Sequence, residues 1–274
     1  MDTLVFRSLA YTDIETLLEC FNESFKVYYV PLQLTKEQLV DKIYAEAIDM
    51  KLSYGAFDND KLVAFILHGI DTINNRSVAY NAGTGVLPAY RGKHLSYTLY
   101  EYCIAQLKEQ GIEKCALDVI DQNIPATKTY ERCGLTITRK MISYKGDTVF
   151  KKDPSIEIRS TSPDWKMIEE LCAWQPAWQY NNNTLKRAWN NYSFIVAGNN
   201  AEAYCIANLK NGRIAHFGSK TADRYLSAIF GWLADIQKTL MIIHVDERAA
   251  DANSFIMSAG LSHFITSYEM EMDL

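Results

Sequence analysis

Two stretches of this chain combine residue types and spacings suited to holding and activating an anionic ligand. The first runs from Gly85-Val86-Leu87-Pro88 into Arg91-Gly92-Lys93-His94-Leu95-Ser96. An extended segment rich in Val and Gly comes before it and an apolar-periodic run follows, so Leu95 and Ser96 are expected at a helix N-terminus. First-turn amides have no carbonyl partner inside a helix, and the macrodipole favours negative charge there. Arg91 and Lys93 add charge-assisted donors worth about 1.5–3 kcal/mol each when well placed. A pyrophosphate suits such a loop. On the residues alone, a basic solvated loop before an ordinary helix fits as well.

In the second stretch, Asn123, Ala126 and Tyr130 recur at i, i+3 and i+7, ahead of Gly134-Leu135. That spacing is one helical face about 10 Å long. It suits contact with an extended ligand arm, and it equally suits a capping Asn and a core Tyr. Ahead of the first loop, Ala82-Gly83-Thr84-Gly85 puts two glycines inside a strand. Glycine weakens a strand unless the backbone bulges or another chain approaches closely.

Taken together, Val86, Pro88, Arg91 and Gly92 with Asn123, Ala126, Tyr130 and Gly134-Leu135 resemble the GNAT superfamily, the acyl-CoA-dependent N-acetyltransferases. The resemblance implies that Val86, Leu87, Pro88, Arg91, Gly92, Lys93, His94, Leu95 and Ser96 bind coenzyme A. Asn123 and Ala126 would border the pantetheine arm, and Tyr130 would protonate the departing thiolate. The Val86 N–H would meet the thioester carbonyl as an oxyanion donor. His94 and Ser96 stand where the family usually has small residues, which narrows the approach for the phosphates.

The family's central-strand Glu, often the base, is replaced by Tyr80, followed by Asn81. A water relay ordered by Tyr80 or Asn81, or a base such as Glu23, would then deprotonate the amine. Phe25, Tyr28, Tyr29 and Pro31 would form an aromatic wall for the acceptor, with Asn81 beside it. The implied cofactor is acetyl-CoA as co-substrate, with no metal, and the implied partner is a small-molecule or peptide amine. The competing reading is a catalytically inactive CoA-binding sensor or regulatory module.

Composition sets wider bounds. The chain has 274 residues, a formal net charge of −5 and no concentrated basic stripe outside the loop, which argues against a nucleic-acid binder. Six cysteines show no metal-ligand spacing and read as buried thiols. No signal segment or membrane-length apolar run is evident, so a cytoplasmic location without membrane attachment is expected. The oligomeric state stays open.

The periodicity predicts a strand at Leu4 to Ser8 and a helix opened by a capping box at Thr12-Asp13-Ile14-Glu15. A second capping box at Thr35 opens a helix through Met50. Strands follow at Leu52 to Asp58, Lys61 to Asp71 and Ser77 to Leu87, then a helix from Leu95 to Gln110. A strand-helix-strand unit runs from Lys114 to about Tyr144. This is an α/β pattern, a mixed and mostly antiparallel sheet flanked by helices, as in the resembled acyl-CoA N-acyltransferase fold.

After Gly146 the pattern starts again. Ile156-Glu157-Ile158-Arg159-Ser160 resembles Leu4 to Ser8, with Ser162-Pro163 as the next helix start. Leu117-Asp118-Val119 to Gly134-Leu135 aligns without gaps onto Ile243-His244-Val245 to Gly260-Leu261. A tandem duplication is inferred: residues 1–147 as the acetyltransferase domain and 155–274 as a smaller, degenerate GNAT-like domain. Ile256 replaces Tyr130 in the second copy, so one active site is expected. All five tryptophans lie in that half, as core filling or as a groove lining.

Overall fold

The computed structural model describes residues 4–26, 32–221 and 223–274. The chain forms two compact units, one of Met1–Thr138 with Tyr268–Leu274, the other of Arg139–Ser267.

The first unit follows the order β1 (Val5–Ser8), α1 (Ile14–Phe25), α2 (Lys36–Ala45), β2 (Tyr54–Asp58), β3 (Lys61–Ile73), β4 (Arg76–Val86), α3 (Leu95–Glu109), β5 (Lys114–Ile120), α4 (Ile124–Arg132) and the start of β6 (Thr136–Asp147). Asp13 alone caps α1, accepting from the Thr16 N–H at 2.8 Å, so the box expected at Thr12 is not what opens it. The box at Thr35 forms in full with Gln38. Its helix stops at Ala45 rather than Met50, because Ala47 takes a left-handed φ of 53° and Ile48 bridges to Gly69 of β3. Leu17, Phe21 and Phe25 of α1 and Leu99, Tyr100 and Cys103 of α3 are buried in one core with β2, β3 and β5.

The second unit continues with β7 (Ile158–Thr161), α5 (Trp165–Leu171), α6 (Asn182–Arg187), β8 (Ser193–Ala197), β9 (Ala203–Asn208), β10 (Arg213–Ser219), α7 (Arg224–Ala234), β11 (Thr239–Asp246), α8 (Ala250–Ser258) and β12 (Ser262–Asp273). Helix α5 starts after Asp164, whose carboxylate accepts from the Met167 N–H; Ser162 and Pro163 lie ahead of it. Trp174 and Trp178 are buried, and Trp174 packs on Phe217 in the core, which accounts for them as filling.

Each unit takes its last sheet strand from the other half of the sequence. Within the first unit the strand order is β1-β2-β3-β4-β5-β12, and within the second it is β6-β11-β10-β9-β8-β7. From Tyr268 onward β12 belongs to the first unit, where Met270 is fully buried and Glu271 pairs with Lys114 at 2.6 Å. From Arg139 onward β6 belongs to the second, running antiparallel to β11 from Met141↔Asp246 to Asp147↔Thr239. The unit boundaries therefore fall inside β6 and β12, not in the polar linker around residue 150.

Candidate active site

Strands β3 and β4 form a long antiparallel pair with one register shift, Leu67↔Gly83 followed by His68↔Asn81, so Ala82 is the extra residue of a bulge. The Asn81 side chain closes it, accepting from the Gly83 N–H at 3.1 Å and donating to Thr84 Oγ1 at 2.8 Å. The two glycines divide the expectations placed on them. A Cβ on Gly85 would lie 2.3 Å from the Phe65 ring, a core-packing reason; a Cβ on Gly83 would meet nothing closer than 3.8 Å.

On its other side β4 pairs parallel with β5, from Val78↔Lys114 to Asn81↔Leu117. Beyond that point the two strands part, leaving β4 open along residues 82–86. The N–H of Leu87 is turned to Val63 O of β3. Strand alternation therefore points the N–H groups of Thr84 and Val86 into the open edge. Among the described residues, the hydrogen-bond partner on that edge is Arg91, whose Nε donates to Val86 O at 3.1 Å.

The loop closes the wide end of the split. Pro88–Tyr90 forms one turn of 3-10 helix, Gly92 has φ of 74°, and His94 has φ of 58° immediately before α3. His94 thus occupies a left-handed position that suits glycine, and its side chain makes no cap bond. The first-turn amides of Leu95, Ser96 and Tyr97 are orphan donors at a helix start. Arg91 does more than the sequence suggested: its Nη2 donates to Ser24 O near the end of α1 at 2.7 Å, tying α1 to the end of β4. Lys93 Nζ donates to Ala89 O and lies 5.5 Å from the Tyr90 ring centre.

Helix α4 returns from the wide end toward the point of parting. Asn123 caps it, accepting from the Ala126 N–H at 3.3 Å, so the capping role is present. Tyr130, 9% exposed, packs edge-on against Tyr100 of α3 with ring centres 5.4 Å apart. Over the seven residues from Asn123 the helix carries Tyr130 about 10 Å back along β5.

The opposite face of the sheet holds a feature that sequence reasoning missed. Phe65 stacks on Phe21 of α1 at 5.7 Å, so Phe65, Leu67 and Gly69 face α1, and Tyr80, opposite Gly69, faces it too. Tyr80 is buried, and its hydroxyl donates to Asp118 Oδ2 of β5 at 2.9 Å. Asp118 lies next to Leu117, where pairing with β4 ends. The signal in the sequence was a carboxylate between Leu117 and Val119 in an apolar strand. Phe25 is buried against Phe21, with ring centres 4.7 Å apart, and Glu23 pairs with Lys26 on the exposed side of α1. Tyr28, Tyr29 and Pro31 lie outside the described residues.

In the second unit the corresponding edge is filled by the chain itself. Strands β10 and β11 pair only at Arg213↔Met241 and Ile214↔Ile242. Tyr204 of β9 takes one edge of Gly218, and Cys172 bridges to the same Gly218 on the edge turned toward β11. The Ala173 N–H donates to Phe217 O at 3.1 Å, and Leu171 O sits 1.9 Å from where a Cβ on Gly218 would be. Ile256 is fully buried in α8. All six cysteines are free, Cys133 and Cys172 half-buried and the others buried. Among the described residues, no helix is long and apolar enough to cross a membrane.

The profile of the acetyltransferase (GNAT) family matches residues 14–135. No curated protein matches by sequence. Among solved structures, a putative acetyltransferase from Pyrococcus horikoshii superposes with a TM-score of 0.72 at 13% identity, covering 100% of this chain and 90% of its own. A GCN5-related N-acetyltransferase from Sphaerobacter thermophilus gives 0.71 at 12%, covering 100% and 96%. A tandem GNAT protein from the clavulanic acid biosynthesis pathway gives 0.69 at 9%, covering 99% and 98%. The expected α/β fold is therefore the observed one: the chain shares its fold with these GNAT structures over its length, and the part that matches the acetyltransferase (GNAT) family itself is residues 14–135, in the first half.

Proposed function

We propose that the first unit is an acetyl-CoA-dependent N-acetyltransferase and that the second binds no coenzyme. The parting of β4 from β5 after Asn81↔Leu117, with β4 open along residues 82–86 while the matching edge of β10 is filled, carries this reading. Five strand residues span about 16 Å, room for an extended pantetheine arm. Its pyrophosphate would rest on the α3 amides with Gly92 and Lys93, and Val86, Asn123 and Ala126 would border the arm.

The sulfur then reaches the narrow end, where Tyr130 lies. Along β4 the Thr84 N–H is nearer that end than Val86, so Thr84 takes the oxyanion role and Val86 holds the arm. A neutral amine attacks the acetyl carbonyl, the N–C bond forms as the C–S bond breaks, and the thiolate takes its proton from Tyr130. A small-molecule or peptide amine is the acceptor class, entering from the α1 face.

The test pairs binding with turnover. Acetyl-CoA is expected to raise the melting temperature, since a ligand of the folded state alone must do so. A panel of amines read by thiol release should give turnover. Tyr130→Phe is expected to keep that shift and lose roughly 10²-fold in turnover, a usual general-acid contribution. A melting shift with no turnover on any amine would establish the CoA-binding module instead.

A further inference from the structure

The reaction needs a group that takes the proton of the attacking amine, and Tyr80 stands on β4 just before the point where it parts from β5. A phenol at its ordinary pKa is a weak base at neutral pH. It becomes an effective relay when a carboxylate accepts its proton as it receives another. We propose, on the transferase reading above, that Asp118 is the terminal proton acceptor and that Tyr80 passes the amine proton to it.

Three observations place the pair. The Tyr80 hydroxyl already donates to Asp118 Oδ2 at 2.9 Å, the direction the relay needs. Both residues flank the point where β4 and β5 part, Tyr80 just before Asn81 and Asp118 just after Leu117. They lie on the α1 face, while Tyr130 packs on α3. Tyr54 sits opposite Ile66, the face away from Phe65, and packs on Tyr102 of α3, so α1 and α3 cover opposite faces. Base and acid therefore stand on either side of the split through which the thioester would pass, so the amine and the thiolate exchange protons with different groups.

The step balances. The amine nitrogen forms a bond to the acetyl carbon, and its proton moves to Tyr80 Oη as the phenolic proton moves to Asp118 Oδ2. The C–S bond breaks and Tyr130 protonates the sulfur. Asp118 afterwards loses a proton to solvent and Tyr130 regains one. By the same alternation the charged groups on that face are Lys114 and Glu271, paired at 2.6 Å, Arg76 and Asp273, paired at 2.8 Å, with Asp71 on β3 and Glu269 on β12. Helix α1 turns Cys20, Phe21, Ser24 and Phe25 inward, none of them charged.

The experiment compares wild type with Asp118→Asn, Asp118→Glu, Tyr80→Phe and the Tyr80→Phe/Asp118→Asn double variant. Probes are acetyl-CoA with glucosamine, spermidine and an alanyl peptide. Asn accepts the phenol's hydrogen bond but takes no proton, so Asp118→Asn is expected to keep the acetyl-CoA melting shift and lose about 10²-fold or more in kcat. It should also lose an acid limb of the kcat profile that wild type shows, while Asp118→Glu recovers part of the rate. The double variant should be no slower than the slower single one, because both remove one relay.

Wild-type kcat and pH profile in Asp118→Asn overturn the relay and leave the transferase standing. Additive losses in the double variant also overturn it. Wild type that binds acetyl-CoA but acetylates no probe overturns both, and wild type with no melting shift shows that the coenzyme assignment itself failed.

Discussion

Replacing Met270 by Ala should weaken the first unit, although the residue lies near the C-terminal end of the sequence. Its side chain is 0% exposed and is buried in the same core as Leu117, Val119 and Tyr130. Deleting a fully buried Met side chain typically costs about 2–5 kcal/mol, part transfer and part cavity. For a domain of this size each kcal/mol moves the melting temperature by about 2–4 °C, so a fall of roughly 4–20 °C is expected for the unit that holds Met270. All five tryptophans, Trp165, Trp174, Trp178, Trp189 and Trp232, lie within Arg139–Ser267, so tryptophan fluorescence reports the second unit. On the proposed function, an acetyl-CoA-dependent melting shift would report the first. Met270→Ala is expected to reduce the temperature at which acetyl-CoA binding survives by more than it moves the tryptophan transition. A shift confined to the tryptophan signal would refute the placement of the end of β12 in the first unit.

Two further outcomes follow from backbone strain and burial. His94→Gly relieves a left-handed residue that costs roughly 1–2 kcal/mol, offset in part by the greater freedom of an unfolded glycine, about 0.5–1 kcal/mol. A small rise in melting temperature with coenzyme affinity held or improved is expected; a drop in either would mean the imidazole itself contributes. His68 is fully buried with Nδ1 donating to Leu52 O at 2.8 Å, and burial pushes its pKa down to about 4. An unfolded His near 6.5 binds more protons than the folded one between those values, so its stabilisation is complete above about pH 6.5 and is lost as pH falls toward 4. Urea unfolding of wild type and His68→Leu should differ in slope, with wild type losing about 2 kcal/mol more between pH 7 and pH 5. Parallel pH profiles would contradict a neutral buried imidazole.

Much of the candidate site's local geometry was legible because its signals are local. A strand, a Gly-containing basic loop and a helix start follow from neighbours in sequence, and Asn123, Ala126 and Tyr130 share a face by helical period alone. The Thr35 capping box was readable for the same reason, while at Thr12 the adjacent Asp13 is the better cap and takes the role. What escaped depends on partners distant in the chain. Nothing in the composition of β6 or β12 says which unit it joins, since the alternation that marks a strand is the same beside β5 or β11. Asp118 read as one carboxylate in a strand until its register set it against Tyr80. Residues 171–173 fill the β10 edge through backbone bonds, which side-chain patterns do not record. Arg91 combined a loop charge with a tie to Ser24 O, and only the second needed the fold to be seen.

Amide hydrogen exchange with and without coenzyme A tests the central claim most directly. One coenzyme per chain, slowing exchange at Thr84, Val86 and the first-turn amides Leu95 to Tyr97 while leaving Phe217 to Ser219 of β10 unchanged, is the result the account predicts. Protection at the β10 edge instead, or two coenzymes per chain, or no change along β4, would contradict it.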